Sequence, residues 1–279
     1  MNYELSNDQL NFYHENGFVV IENFLDKSEL SEWQEAVTEA VQERNGIKFP
    51  GSNVKVGEND GVNQEEADYF GNVFDQLVNL WQTNERVNQL MLDTRLGKMA
   101  IQLASVDGIR IWHDQALIKR RWANPTAWHL DTPFWSFSNS AALSLWVALD
   151  DATLENGCLY FLPGSHRKTN FQNPGITKNM NAVFLAYPEL ASMQPVAAPM
   201  KAGSASFHNG LCIHGAGPNM TPGFRRAMTC AYMPDQSTFN GQQNILSDEY
   251  IQKIAIGDPL NNDEQNPLIY SQSLSQMLT

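Results

Sequence analysis

From Gly108 to Pro234 the chain is cut into short runs of branched, aromatic and small residues separated by turn formers: IRIWHDQALIK, AWHLDTPFW, ALSLWVALDD, CLYFLPGS, SASFHNGLCIHG and RAMTCAYMP. Runs of this length and spacing belong to an antiparallel sandwich or barrel. A doubly wound sheet would need a helix between successive strands, and these runs follow one another without one. The preceding residues, 1–106, read as a mainly helical scaffold. Ser6 with Gln9 and Asp26 with Glu29 have capping-box spacing, and Gly17 stops the first helix before FVVIENFL. Leu30, Trp33, Val37 and Val41 give an apolar helical stripe, and helical periodicity returns at Val73, Leu77, Leu80 and Trp81 and again from Val87 to Leu103. Residues 42–66 turn to Gly, Asn, Asp, Glu and Lys and read as an exposed loop.

The expected organisation is a single domain. Residues 107–235 form the barrel core, the Asn-, Pro- and Met-rich stretch at about 167–203 is a lid, and 236–279 is a C-terminal extension. At 42% hydrophobic residues the 279-residue chain can bury a large core. Its net charge of −13 opposes a phosphate-binding surface, so nucleic acid is not an expected partner. The polar start and the lack of a long apolar run predict a cytoplasmic protein without membrane contact. Cys158, Cys212 and Cys230 are few and far apart, which fits reduced core thiols.

WHLDTPFW, residues 128–135, sets a histidine and an aspartate two apart. If the segment is a strand, His129 and Asp131 share a face at roughly 7 Å between Cα atoms, close enough to hold one ion. SASFHNGLCIHG supplies a third ligand, His214 or His208 on the same face. Two histidines and a carboxylate cover one side of a metal and leave positions open, the arrangement of non-haem Fe(II) oxygen chemistry. Such iron needs a reductant, and 2-oxoglutarate can supply two electrons while chelating the metal. Its far carboxylate then calls for a buried cation, for which an arginine is suited.

WHLDTPFW, WVALDDATLENGCLYFLPGSH and HGAGPNMTPGFRRAMTCAYMP together resemble the phytanoyl-CoA dioxygenase family of Fe(II)- and 2-oxoglutarate-dependent oxygenases. GFVVIENFL and IGDPLNNDEQNPLIY resemble that family's two ends. The resemblance implies a mainly β protein with flanking α elements: a double-stranded β-helix, or jelly-roll barrel of the cupin kind, with N-terminal helices packed on it. It implies that His129, Asp131 and His214 are both catalytic and metal ligands. Arg225, eleven positions after His214, would hold 2-oxoglutarate, with Gln115 and Lys119 as helpers. Ala216 stands where relatives often carry a hydroxyl for the co-substrate. Asp131 stands where halogenating relatives have a small residue, so a halogenase is disfavoured.

Strand parity gives the lining of the pocket separately. Leu143, Leu145, Val147 and Leu149 should face the helices, leaving Ser144, Trp146 and Ala148 inward, with Trp146 beside the co-substrate. His113, Gln115, Leu117 and Lys119 share one face, as do Arg225, Ala227, Thr229 and Ala231. Trp128, Phe134, Trp135 and His208 are candidate pocket residues. His166 fits a turn and His14 an exposed helix. The expected activity is oxidation, by default hydroxylation, of a C–H bond of a small molecule by dioxygen, with release of succinate and carbon dioxide; ascorbate would help in vitro. Two other classes fit the ligands alone: a metal-dependent isomerase or hydrolase of cupin type, which leaves Arg225 unexplained, and a non-catalytic binding barrel. Substrate identity and oligomeric state are not readable from the sequence.

Overall fold

The computed structural model describes residues 1–44 and 69–277. Helix α1 (Asn7–Asn16) begins at Ser6, whose hydroxyl accepts from the Gln9 amide while the Gln9 side chain bonds back. Helix α2 (Lys27–Glu43) is capped in the same reciprocal way by Asp26 and Glu29. Gly17 ends α1 at φ 81°, a left-handed conformation that glycine adopts without strain. The chain then enters β1 (Phe18–Ile21). Of the loop expected at 42–66, residues 45–66 lie outside the described residues, and α2 runs on to Glu43.

The helical expectation at Val73–Trp81 is corrected. Asp75–Val78 is strand β2, followed by a single 3-10 turn at Leu80–Gln82. The apolar spacing that imitates a helix there serves a sheet edge, where β2 pairs with residues 115–118 of β3 (Gly108–Lys119). Asp114 secures the turn by accepting the amides of Leu80 and Trp81, each at 2.7 Å. The Val87–Leu103 periodicity is split between α3 (Glu85–Met91) and α4 (Thr94–Ala104), with Asp93 capping the second.

Two antiparallel sheets face each other. The larger runs β1-β8-β5-β10-β3-β11, with β2 added on β3; β5 spans Leu143–Ala148, β8 Ala205–Asn209, β10 Arg225–Pro234 and β11 Leu268–Ser271. The smaller runs β4-β9-β6-β7, made of Thr126–His129, His214–Ala216, Leu159–Phe161 and Val196–Ala198. This is the jelly roll expected from the sequence. Residues 236–279 are more than an appendage, since β11 pairs with Gly108–Arg110 of β3 and extends the large sheet.

The faces of β5 follow parity. Leu143, Leu145, Val147 and Leu149 pack with α1, α2 and α4 residues such as Tyr13, Trp33 and Leu96 in the main core. Ser144 and Trp146 face the other way, into a cavity between the sheets. Helices thus cover one side of the large sheet, and the small sheet roofs the other. Cys158, Cys212 and Cys230 are buried free thiols.

Candidate metal and co-substrate site

Strand alternation does not bring His129 and Asp131 together. β4 stops at His129, and Asp131 adopts φ −83° and ψ −55° at the start of a 3-10 turn, Thr132–Phe134. Pro133 has no amide hydrogen to offer a continuing ladder, so the strand must end here. The amides of Asp131 and Thr132 instead donate to the carbonyl of Gly210 at 2.9 and 3.0 Å, which fixes the turn. His214 opens β9 and lies opposite His129 in register. His208 ends up on the large sheet, separated from His214 by the end of β8 and the turn at 210–213.

The three side chains converge nonetheless. Nε2 of His129 and of His214 lie 3.7 and 3.6 Å from Asp131 Oδ1, and one donor atom from each residue falls within 4.8 Å of the others. Each imidazole is oriented from behind: His129 Nδ1 donates to the Ala127 carbonyl at 2.8 Å and His214 Nδ1 to that of Cys212 at 3.0 Å. Both Nε2 lone pairs are thereby directed at the shared point. Burial pushes both histidines down to about 4, keeping them neutral near pH 7.

Asp131 is held through its other oxygen. Ser144 Oγ donates to Oδ2 at 2.7 Å and His208 Nε2 donates to the same atom at 3.1 Å. Burial acts to raise the Asp131 carboxyl, but His214, the His208 hydrogen bond and His129 outweigh it, and the group sits well below the ordinary carboxylate range. Oδ1 is therefore charged and free to ligate. Sequence reasoning placed Ser144 in the cavity without giving it this task. A neutral N, N and anionic O set with open directions suits Fe(II).

The same cavity is lined by Arg225, 2% exposed, with Nε and Nη1 lacking any partner among the described residues and the guanidinium stacked over Trp146 at 5.1 Å. Burial pushes it down to about 10, so it stays protonated. A buried cation with orphaned donors is costly unless an anion meets it. Thr126 also lines the cavity and faces Ala216 across the strand pair, restoring a hydroxyl near the position where Ala216 lacks one. Its signal in the sequence is a threonine three residues before His129. Lys119 is opposite Arg225 in register and fully buried, but its ammonium donates to the carbonyls of Val73 and Asn124 at 3.2 and 2.6 Å and does not line the cavity.

The remaining lining is apolar or neutral. Phe134 and Trp135 belong to it, together with Phe70 and Phe74, which pattern reading did not single out. Trp128 does not: its indole packs on Tyr160 and Phe184, outside the cavity, because the register shift between Thr126 and His129 turns it away. Gln115 lines the cavity while bonded to Gln76 and to His113. His166 bonds the His14 carbonyl beside Gly17, remote from the triad.

Comparison with known proteins agrees with this geometry. The sequence pattern of the family described as phytanoyl-CoA dioxygenase matches residues 13–227. The chain is 26% identical over 243 residues to the peroxisomal phytanoyl-CoA dioxygenase of Mus musculus, covering 83% of this chain and 69% of that protein. Among solved structures it is similar to SnoK, a non-haem α-ketoglutarate-dependent carbocyclase of nogalamycin biosynthesis, with a TM-score of 0.75 and 25% identity over 96% of this chain and 97% of the other. It shares its fold with EctD of S. alaskensis, solved with bound Fe, at a TM-score of 0.66 and 21% identity over 84% and 79% of the two chains. The chain belongs to the phytanoyl-CoA dioxygenase family of Fe(II)- and 2-oxoglutarate-dependent oxygenases.

Proposed function

We propose that His129, Asp131 and His214 hold Fe(II), that Arg225 holds the far carboxylate of 2-oxoglutarate, and that the aromatic end of the cavity receives a small molecule whose C–H bond is oxidised. The observation that carries this reading is the pairing, in one cavity, of a preorganised N,N,O donor set with a buried arginine whose Nε and Nη1 have no partner among the described residues. Iron with 2-oxoglutarate supplies the oxidising power for C–H cleavage, with succinate and carbon dioxide as co-products. A cupin isomerase or a binding barrel would leave Arg225 buried without an anion.

The chain's own residues orient and exclude. Ala127 and Cys212 carbonyls fix the ligand imidazoles, while Ser144 and His208 occupy Asp131 Oδ2 and reserve Oδ1 for the metal. Trp146 flattens one side of the guanidinium, and Thr126 offers a hydroxyl to the same carboxylate. Asn173–Thr177 line the cavity and are the part of the 167–203 stretch that would shield it from water, whereas the end of that stretch is no lid but strand β7 of the small sheet, paired with β6. Hydroxylation is the default outcome; the carbocyclase SnoK and the epimerase SnoN show that similar folds support others.

Succinate formation by anaerobically reconstituted protein with Fe(II), 2-oxoglutarate and ascorbate, started by air, tests the reading. Wild-type protein should produce succinate, and His129→Ala and Arg225→Ala should not. Stoichiometric Fe(II) uptake without any binding of 2-oxoglutarate under nitrogen would remove it.

A further inference from the structure

The C-terminal segment supplies part of the cavity wall. Phe239 bridges to Phe137, the Asn240 amide donates to the Ser136 carbonyl at 2.8 Å, and the Asn240 side chain donates to the Trp135 carbonyl at 3.0 Å. Ser136 Oγ in turn donates to the Gln243 carbonyl at 2.9 Å. Residues 239–243 are thereby stitched to the chain just past the Thr132–Phe134 turn. That docking carries Asn244 and Ile245 into the cavity lining, with Ile245 in one apolar cluster with Trp135. The family's sequence pattern matches no further than residue 227, so this piece of wall lies outside it.

The side chain of Asn244 has one orientation only. Nε1 of the fully buried Trp112 lies 3.2 Å from Asn244 Oδ1. An indole nitrogen can only donate, so the atom facing it must be the amide oxygen, and the NH2 group is turned away from it. Nδ2 makes no hydrogen bond to a described residue, although Asn244 is half-buried and lines the cavity. The backbone there is left-handed, φ 43°, a conformation that Asn and Asp tolerate. An oxygen on a bound molecule can take the free bond; a molecule without one would strip the donor of water and leave it unpaired.

Strand register separates this donor from the co-substrate. Arg225 of β10 faces Lys119, and Ala231, six positions further along, faces His113, the neighbour of Trp112. Six residues of strand span about 20 Å. Ser144, which holds Asp131, is level with Ala231. Asn244 therefore stands towards the metal ligands and away from Arg225, where the molecule being oxidised has to lie.

We infer that Asn244 is a specificity-determining residue whose amide NH2 donates to a carbonyl or hydroxyl oxygen of the substrate, with Trp112 setting its orientation. The inference rests on the reading that this cavity receives the molecule whose C–H bond is oxidised.

The test uses two probes of one shape that differ in the acceptor, 2-acetylnaphthalene and 2-isopropenylnaphthalene, both small enough for a cavity of about 760 Å³. Each is titrated by ligand-observed NMR into full-length protein saturated with Zn(II) and 2-oxoglutarate, which cannot turn over. Asn244→Asp keeps the oxygen that Trp112 needs and suits the same backbone, but puts an acceptor where the donor was. The ratio of ketone to hydrocarbon affinity should fall at least about tenfold, the scale of one hydrogen bond. Asn244→Gly, which also accepts the left-handed backbone and removes the amide, should lower the ratio in the same direction. An unchanged ratio, which equal weakening of both probes through altered packing would give, overturns the inference, as does a ketone that the wild-type protein does not bind. Binding of 2-oxoglutarate to the wild-type Fe(II) protein under nitrogen is measured on the same preparation. If it binds while the ratio stays unchanged, only this inference falls; if it does not bind, the functional reading falls and takes the inference with it.

Discussion

His208 Nε2 lies 3.1 Å from Asp131 Oδ2, the oxygen turned away from the other two proposed ligands, so a third histidine steadies the carboxylate without joining the proposed triad. Hydrogen bonds of this type tune metal affinity by about 10- to 100-fold. His208→Ala should therefore weaken Fe(II) or Co(II) binding by that factor, and Ser144→Ala should act in the same direction. His208→Gln, which retains a donor, should restore most of the affinity. Anaerobic metal titration reads all three, and unchanged affinity in both alanine variants would refute the supporting role.

Arg225→Ala should lower the affinity of the Fe(II) protein for 2-oxoglutarate by roughly 30-fold or more, since removing one member of a buried ion pair costs about 2–5 kcal/mol. Metal affinity should be unaffected. Arg225→Lys should recover only part of the binding, because an ammonium cannot match a carboxylate with two parallel hydrogen bonds. Retention of wild-type affinity in Arg225→Ala would place the co-substrate elsewhere.

The metal-free protein should lose stability as the pH falls from about 6.5 to 4. His113, His129 and His214 are each pushed down by burial to about 4 in the fold, whereas the unfolded chain titrates near 6.5. Between those values the unfolded state binds more protons, so their contribution is complete above pH 6.5 and is withdrawn on acidification. Urea midpoints at pH 7 and 4.5 check this, and a flat profile would contradict it. His113→Gln should make the decline shallower.

Gly157 has φ 94°, and an added Cβ would lie 2.6 Å from Lys119 Cδ and 2.7 Å from the Gly217 carbonyl oxygen. Gly157→Ala should cost about 2 kcal/mol or more through backbone strain and displacement of the buried lysine stem. The shift in urea midpoint measures it, and neutrality would mean that the Lys119 region yields easily.

Strand runs, caps and face parity were legible because each rests on local chemistry: Ser6 and Asp26 satisfy nearby amides, and Leu143 to Ala148 alternate on one unbroken strand. Parity failed where the ladder breaks. Pro133 turns the chain before Asp131 can lie on a strand, and the register shift after Thr126 sends Trp128 outward. The apolar spacing at Val73–Trp81 misled because an edge strand followed by a 3-10 turn can repeat it. The support around the site was less readable still. Ser144 and His208 are far from Asp131 in sequence, and only the stacking of two sheets brings them to its second oxygen.

That stacking has a mechanical consequence. His129 and His214 stand on the small sheet, whereas Ser144 and His208 reach over from the large one to hold the Asp131 carboxylate, which an ion bound at the proposed site would tie to the two small-sheet histidines. The carboxylate is a rivet through the two leaves of the barrel. Prying the leaves apart at that end and releasing a captured ion would be the same movement, so the lifetime of the bound metal should report how rarely the barrel gapes.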